Sequence, residues 1–174
     1  SDRGTSVLFG DGAGAVVLAA EAADDEPAPR GVLASYLGAD GRHYDDLYVD
    51  GGPSTTGTTG HLRMNGQEVY RHAVAMLSAS VTEVLQRAGL ALDDVAWVAP
   101  HQANKRIIDA VAKRLGLPAE RVLVAVDRHA NTSAASIPLA LDLAAADGRL
   151  QPGDLVVATA MGGGFTWGAV AFRW

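Results

Sequence analysis

Residues 95–118, VAWVAPHQANKRIIDAVAKRLGLP, hold a strand, a polar loop, a helix and a stop signal in one short run. Residues 95–99 are apolar and lie between Asp93-Asp94 and Pro100, the pattern of a buried strand. Over Lys105–Leu115 the residues Ile107, Ile108, Val111 and Leu115 share one helical face, and Gly116 with Pro118 ends it. A buried strand leading into an amphipathic helix predicts an α/β fold. Downstream the pattern repeats. A strand is expected over residues 121–126 and a small-residue helix over 132–147, in which Pro138 predicts a bend or a late start. Strands are expected at 155–160 and 166–173, joined through Gly162-Gly163-Gly164. Upstream, Val69, Ala73, Met76, Leu77, Val81, Val84 and Leu85 form an apolar stripe, with Asn65 placed to cap the helix and Gly89 to end it. Farther back, strands are expected at 5–9, 15–20 and 31–37, with an acidic loop at 21–30 and a long Gly/Thr/Asp/Tyr-rich loop at 38–60.

The 174 residues are 48% apolar, enough to bury the core of one globular domain. A net charge of −6 argues against general affinity for nucleic acid. No run approaches the ~18 consecutive apolar residues of a membrane span, and no secretory signal is present, so a cytoplasmic protein with no membrane contact is expected. The chain contains no cysteine, which leaves it without a thiol nucleophile or thiolate metal ligand of its own. It opens on SDRGT, without Met, and runs almost at once into the expected strand at 5–9. A parallel strand needs a crossover to reach its neighbour, so the expectation is a fragment of a larger protein.

Three successive strand ends carry the chemistry. The first leads into Pro100-His101-Gln102-Ala103-Asn104, the second into Asp127-Arg128-His129-Ala130-Asn131, and the third into the triple glycine. Open α/β sheets bind ligands at the carboxyl ends of their strands. A lone loop histidine is more often structural, but three such features at one sheet edge favour a site. A neutral imidazole and a carboxamide each supply a donor, and two donors on one oxygen stabilise an oxyanion or enolate. Consecutive glycines allow a backbone N–H to approach a reacting carbonyl.

Other motifs fail. Gly10-Asp11-Gly12-Ala13-Gly14 resembles a dinucleotide fingerprint, but a strand is expected where a helix is needed. The triple glycine lacks the Lys-Ser/Thr of a phosphate loop, and no nucleophile-elbow serine occurs. His43, His61, His72 and His129 lack metal-ligand spacing, so no metal is expected. Arg71, Lys105, Arg106, Lys113 and Arg114 read either as solvated helix faces or, if the two helices adjoin, as a basic patch.

Five runs carry a family resemblance: residues 2–18, 64–74, 98–118, 127–141 and 162–174. Among them DRGTSVLFGDGAGAVVL, MNGQEVYRHAV, VAPHQANKRIID, DRHANTSAASIPLAL and GGGFTWGAVAFRW resemble β-ketoacyl-acyl-carrier-protein synthase III. The resemblance spans nearly the whole chain and is weakest over residues 21–63. It implies a thiolase-like fold, a layered αβαβα arrangement of two related halves. Residues 1–20 would then be the last strand pair of the first half and residues 21–174 the second half. The similarity of Gly14-Ala15-Val16-Val17-Leu18 to Gly168-Ala169-Val170-Ala171-Phe172 fits that duplication.

The resemblance further implies a decarboxylating condensation of an acyl-CoA, acetyl-CoA in the simplest case, with malonyl-acyl carrier protein. Its substrates are coenzyme A and phosphopantetheine thioesters, and no cofactor is implied. His101 and Asn131 match the catalytic pair, and Gly163 the backbone oxyanion donor. Arg3, Asn104 and Arg106 match positions that hold coenzyme A or phosphopantetheine. Gly66, Tyr70, Ala103 and Met161 fall along the tunnel, Met161 replacing an expected phenylalanine. Arg71, Arg106, Lys113 and Arg114 match the acyl-carrier-protein patch. The implied partners are the carrier protein, acyl-CoA, a missing N-terminal half with the catalytic Cys, and a second copy in a homodimer. A related condensing enzyme of polyketide or quinolone-type metabolism, and a non-catalytic carrier-binding or dimerisation module, stay open as alternatives.

Overall fold

A computed structural model describes residues 4–20 and 30–174. Its centre is a four-stranded sheet built from β1 (Gly31–Ala39), β4 (Trp97–Pro100), β5 (Leu155–Gly162) and β6 (Thr166–Arg173). The strand order is β1-β6-β5-β4, with β4 and β5 parallel and the other two pairings antiparallel. A short ribbon, β2 (Leu47–Val49) with β3 (Leu62–Met64), forms within the region expected as loop and just beyond it. The main helices are α1 (Gly66–Ala88), α2 (Lys105–Leu115) and α4 (Ser136–Ala146), and a single turn, α3 (Val126–His129), precedes the last.

Period-two alternation along β5 assigns its residues to two cores. Leu155 and Val157 join Val81, Val84, Ile108 and Ala112 on the face covered by α1 and α2. Val156 and Ala158 join Ala140, Leu141 and Ala144 on the face covered by α4. The strand is covered on both faces, so its sequence is a continuous apolar run rather than an alternating one. The described residues therefore supply three layers, helix, sheet and helix.

Local chemistry sets the helix ends. Gly89 and Gly116 adopt left-handed φ values of 67° and 70°, closing α1 and α2 through their amides. Asn104 caps α2, its side-chain oxygen accepting from the Ile107 amide at 2.9 Å. Asn65 does occupy the cap position of α1, but its side chain makes no cap bond. It donates instead to Asp46 at 3.1 Å. Pro138 falls in the first turn of α4, where no intrahelical N–H is required, and the helix starts at Ser136 as its position predicts.

Three expected strands do not form. Residues 5–8 are turns, and Phe9 makes one isolated bridge to Asn131. Residues 15–20 pair with nothing among the described residues. Val16, Val17 and Leu18 stand 66%, 92% and 79% exposed there, an apolar run without a ladder neighbour. Residues 121–126 make one bridge, Val122 to Val98, because other backbone groups of that segment bond to a side chain described below. The expected acidic loop at 21–30 lies, Arg30 apart, outside the described residues.

The glycine run at 10–14 is a close approach of chain to chain. A Cβ on Gly12 would meet Thr132 at 2.8 Å, and one on Gly14 would meet Pro138 at 2.6 Å. No helix of the described residues is long and apolar enough to cross a membrane.

Ile108 is 1% exposed between α2 and the sheet. Ile108→Ala is expected to cost about 2–5 kcal/mol in urea unfolding. Val17→Ala at its exposed site should shift stability by less than ~0.5 kcal/mol.

Candidate active site

The parallel pairing of β4 with β5 puts Pro100 opposite Thr159, so the carboxyl ends of both strands lie together. His101 follows directly, its amide donating to the Thr159 carbonyl at 2.8 Å. The glycine turn, residues 162–164, follows β5. Phe165 anchors that turn: it is fully buried, stacks on His43 at 5.0 Å and touches His72 at 5.5 Å. Gly163 must be glycine, since a Cβ would lie 2.7 Å from the Leu47 carbonyl oxygen.

Asn131 reaches the same edge from the α3–α4 connection. Its backbone is pinned by two hydrogen bonds, its amide to Leu8 at 3.0 Å and its carbonyl to Gly10 at 2.9 Å. Its side-chain oxygen accepts from the Ser133 amide at 2.9 Å, which turns the NH2 group away as a donor. That NH2 has no partner among the described residues, although Asn131 is 7% exposed. The flanking backbone is strained. Ala130 has φ 57° and ψ −158°, a region nearly reserved for glycine, and Ser133 has φ 53°.

His101 is partly exposed to the cavity, yet burial of its ring lowers its pKa from 6.5 to about 4. The ring is therefore neutral at neutral pH. Its Nδ1 lies 2.6 Å from the Ser136 hydroxyl.

Gln102 ties the histidine loop to the segment leading to Asn131. Its side chain is 1% exposed and makes four hydrogen bonds. The amide nitrogen donates to Pro100 at 2.7 Å and Leu123 at 3.1 Å. The oxygen accepts from Ala125 at 2.7 Å and Val126 at 3.1 Å. Three of these bonds, to Leu123, Ala125 and Val126, use backbone groups that a strand at 121–126 would have offered to a neighbour.

One cavity of about 1310 Å³ collects most of the predicted residues. His101, Asn131, Gly163, Asn104, Arg106, Gly66, Tyr70, Ala103 and Met161 all line it. Arg106 lies over the Tyr70 ring at 5.7 Å, where α1 and α2 pack through Ala73, Leu77, Ile107 and Val111. Arg71, Lys113 and Arg114 sit outside the cavity on exposed helix faces. Arg71 pairs with Glu68, and Lys105 with Asp109. Arg3 lies outside the described residues. Among the described residues no cluster of three or more His, Asp or Glu could hold a metal ion.

Gln102, Ser136 and Phe165 are the residues that sequence reasoning did not place in the site. A glutamine immediately after a buried strand and its histidine is a usable signal, because a polar side chain there must find partners. Ser136 and Phe165 carry no comparable signal.

The family described as 3-oxoacyl-(acyl-carrier-protein) synthase III, C terminal, matches residues 85–174. Its companion, 3-oxoacyl-(acyl-carrier-protein) synthase III, matches residues 1–41. A β-ketoacyl-(acyl-carrier-protein) synthase III of Sphingopyxis alaskensis is 68% identical over 173 residues, covering 99% of this chain and 53% of the relative. Crystal structures of 3-oxoacyl-(acyl-carrier-protein) synthase III from Aquifex aeolicus and Pseudomonas aeruginosa align with TM-scores of 0.89 each, at 44% and 46% identity. Each alignment covers 99% of this chain and 52% of the solved one. The chain thus spans about half the length of the curated relatives it matches.

The sheet, its two helical faces and these likenesses define a thiolase-like α/β fold. Within that class, the chain belongs to the 3-oxoacyl-(acyl-carrier-protein) synthase III family.

Gln102→Leu strands two buried carbonyls, the buried Ala125 amide and the half-buried Val126 amide. It is expected to cost at least about 3 kcal/mol in denaturant unfolding, with amide exchange accelerated at residues 123–126. The His101 resonances should show no midpoint of protonation between pH 7.5 and 5, where a free imidazole would show one near 6.5, given its pKa of about 4. In the window between that value and 6.5 the unfolded chain binds a proton that the folded chain does not. Stability therefore falls as pH drops through it, by at most about 1.4 kcal/mol per pH unit from this group. His101→Asn should flatten that part of the profile, measured by urea unfolding at a series of pH values.

Proposed function

We propose that this chain supplies the enolate-stabilising part of a decarboxylating condensation in fatty acid synthesis. The reaction joins a short acyl-CoA, acetyl-CoA in the simplest case, to malonyl-acyl carrier protein. The observation that carries this reading is the pair of donors over one cavity: the neutral imidazole of His101 and the unpartnered NH2 of Asn131. Residues 1–20 belong on this reading to the first half of the enzyme and residues 21–174 to the second. The nucleophilic Cys lies in the stretch of the relatives that this chain does not span.

The chemistry follows from the donors. The acyl group passes to the Cys sulfur and coenzyme A leaves as the thiol. The malonyl thioester then loses CO2, and the electron pair of the broken bond becomes an enolate. His101 and Asn131 donate to its oxygen, and both suit the task because neither brings a charge of its own. The enolate carbon attacks the acyl thioester, the Gly163 N–H holds the transient oxyanion, and the Cys thiolate departs.

Asn104 and Arg106 at the cavity, with Arg3, hold the coenzyme A or phosphopantetheine arm. Asn104 does so through its amide nitrogen, since its oxygen caps α2. Gly66, Tyr70, Ala103 and Met161 form the tunnel wall. Arg71, Arg106, Lys113 and Arg114 offer an acidic carrier protein a basic surface. The complete enzyme is a cytoplasmic homodimer that uses thioester substrates and no metal.

The test is to complete this chain with the N-terminal segment of the Sphingopyxis alaskensis relative and supply acetyl-CoA and malonyl-acyl carrier protein. A 3-oxoacyl product is expected. His101→Ala and Asn131→Ala should each lower kcat about 10²–10³-fold, with little change in KM. A folded, assembled protein that forms no product, or variants that condense at the full rate, would refute the proposal.

A further inference from the structure

We infer that Ser136 is the positioning residue that holds His101 in its Nε2–H tautomer, so that the ring offers a proton donor rather than a lone pair to the cavity. Its consequence for catalysis rests on the condensation reading above, whereas the tautomer itself does not.

Ser136 is the first residue of α4 and is 2% exposed. Its hydroxyl oxygen lies 2.6 Å from His101 Nδ1 and accepts the Gln102 amide at 3.2 Å. A hydroxyl carries one hydrogen and two lone pairs. If Nδ1 bore the ring proton, both lone pairs would be taken and the hydroxyl hydrogen would have no acceptor among the described residues. The buried site is fully paired only when the hydroxyl donates to Nδ1 and the Gln102 amide donates to the hydroxyl. The ring proton then sits on Nε2, which has no partner among the described residues and belongs to a side chain lining the cavity.

The arrangement is directional. Gln102 is fixed by its other four hydrogen bonds, and its amide sets the orientation of the serine hydroxyl. The serine in turn sets the imidazole, as the hydrogen bond on one ring nitrogen decides what the other presents. With the opposite tautomer, Nε2 would present a lone pair to an anionic oxygen and repel it.

The decisive measurement is long-range proton–nitrogen correlation NMR on the ¹⁵N-labelled chain at neutral pH, with His101 assigned by loss of its signals in His101→Gln. Wild type is expected to show Nε2 at the protonated and Nδ1 at the unprotonated imidazole position. Ser136→Ala should move both signals toward a tautomer average. Ser136→Thr, which keeps the hydroxyl, should restore the wild-type pattern, and it serves as the folded control if the alanine variant does not fold. A wild-type ring protonated on Nδ1 would overturn the inference, as would a folded Ser136→Ala with an unchanged pattern. So would a folded Ser136→Thr with averaged signals.

In the completed enzyme, Ser136→Ala should lower kcat roughly 10-fold or more at unchanged KM, with rescue by Ser136→Thr. The NMR result is independent of that assay. A failed condensation with the expected spectrum would count against the reaction and leave the tautomer standing.

Discussion

The site depends on one buried carboxamide. Gln102 bonds to four backbone groups, two carbonyls and two amides, and in doing so it replaces part of a strand ladder with a side chain. Had residues 121–126 paired fully with β4, the chain would have continued along the sheet as a fifth strand. Instead it makes a single bridge at Val122, turns through α3, and delivers Asn131 back toward the carboxyl end of β4. A side chain can do this only where every one of its bonds is formed. A buried amide left half-paired would cost more than an apolar residue in its place.

The price of that route is local strain. Ala130 occupies a backbone region that disfavours any Cβ, and Ser133 is left-handed. Both flank the asparagine whose side-chain oxygen is held by the Ser133 amide. Ordinary turn geometry would relax these angles, and it would also release the carboxamide to rotate. Strain of about 1–3 kcal/mol per residue is tolerated because the surrounding contacts leave no alternative. Gly10 and Gly12 are part of that constraint, lying too close to His129 and Thr132 for side chains of their own.

Much of this was legible in the sequence, and what was not had specific causes. The strand–loop–helix unit at 95–118 read correctly because its apolar residues have helical spacing and Gly116 with Pro118 marks the end. His101, Asn131 and the glycine turn were found together because all three follow expected strands, although only two of those strands form. The third expected strand, at 121–126, has the right composition. A composition rule cannot register that Gln102, some twenty residues upstream, will take its hydrogen bonds. Residues 15–20 misled for another reason. Val16, Val17 and Leu18 have strand chemistry, but pairing is a property of two segments, and no described segment lies beside them. Asn65 was legible in position but not in partner, since Asp46 lies across a loop that the sequence does not fold by inspection.

The histidine shows why fold and chemistry cannot be separated here. His101 gains its neutrality from burial, and burial is provided by the same packing of α4 and β4 that brings Ser136 to its ring. In water the imidazole would be partly protonated near pH 6.5, and either nitrogen could carry the remaining proton. Desolvation removes the first freedom and a hydrogen-bonded hydroxyl removes the second. What is left is one donor with no net charge, on a side chain that lines the same cavity as Asn131. On the condensation reading, an oxygen that gains negative charge in that cavity meets dipoles oriented before it arrives, and so requires no reorganisation of the protein to stabilise it.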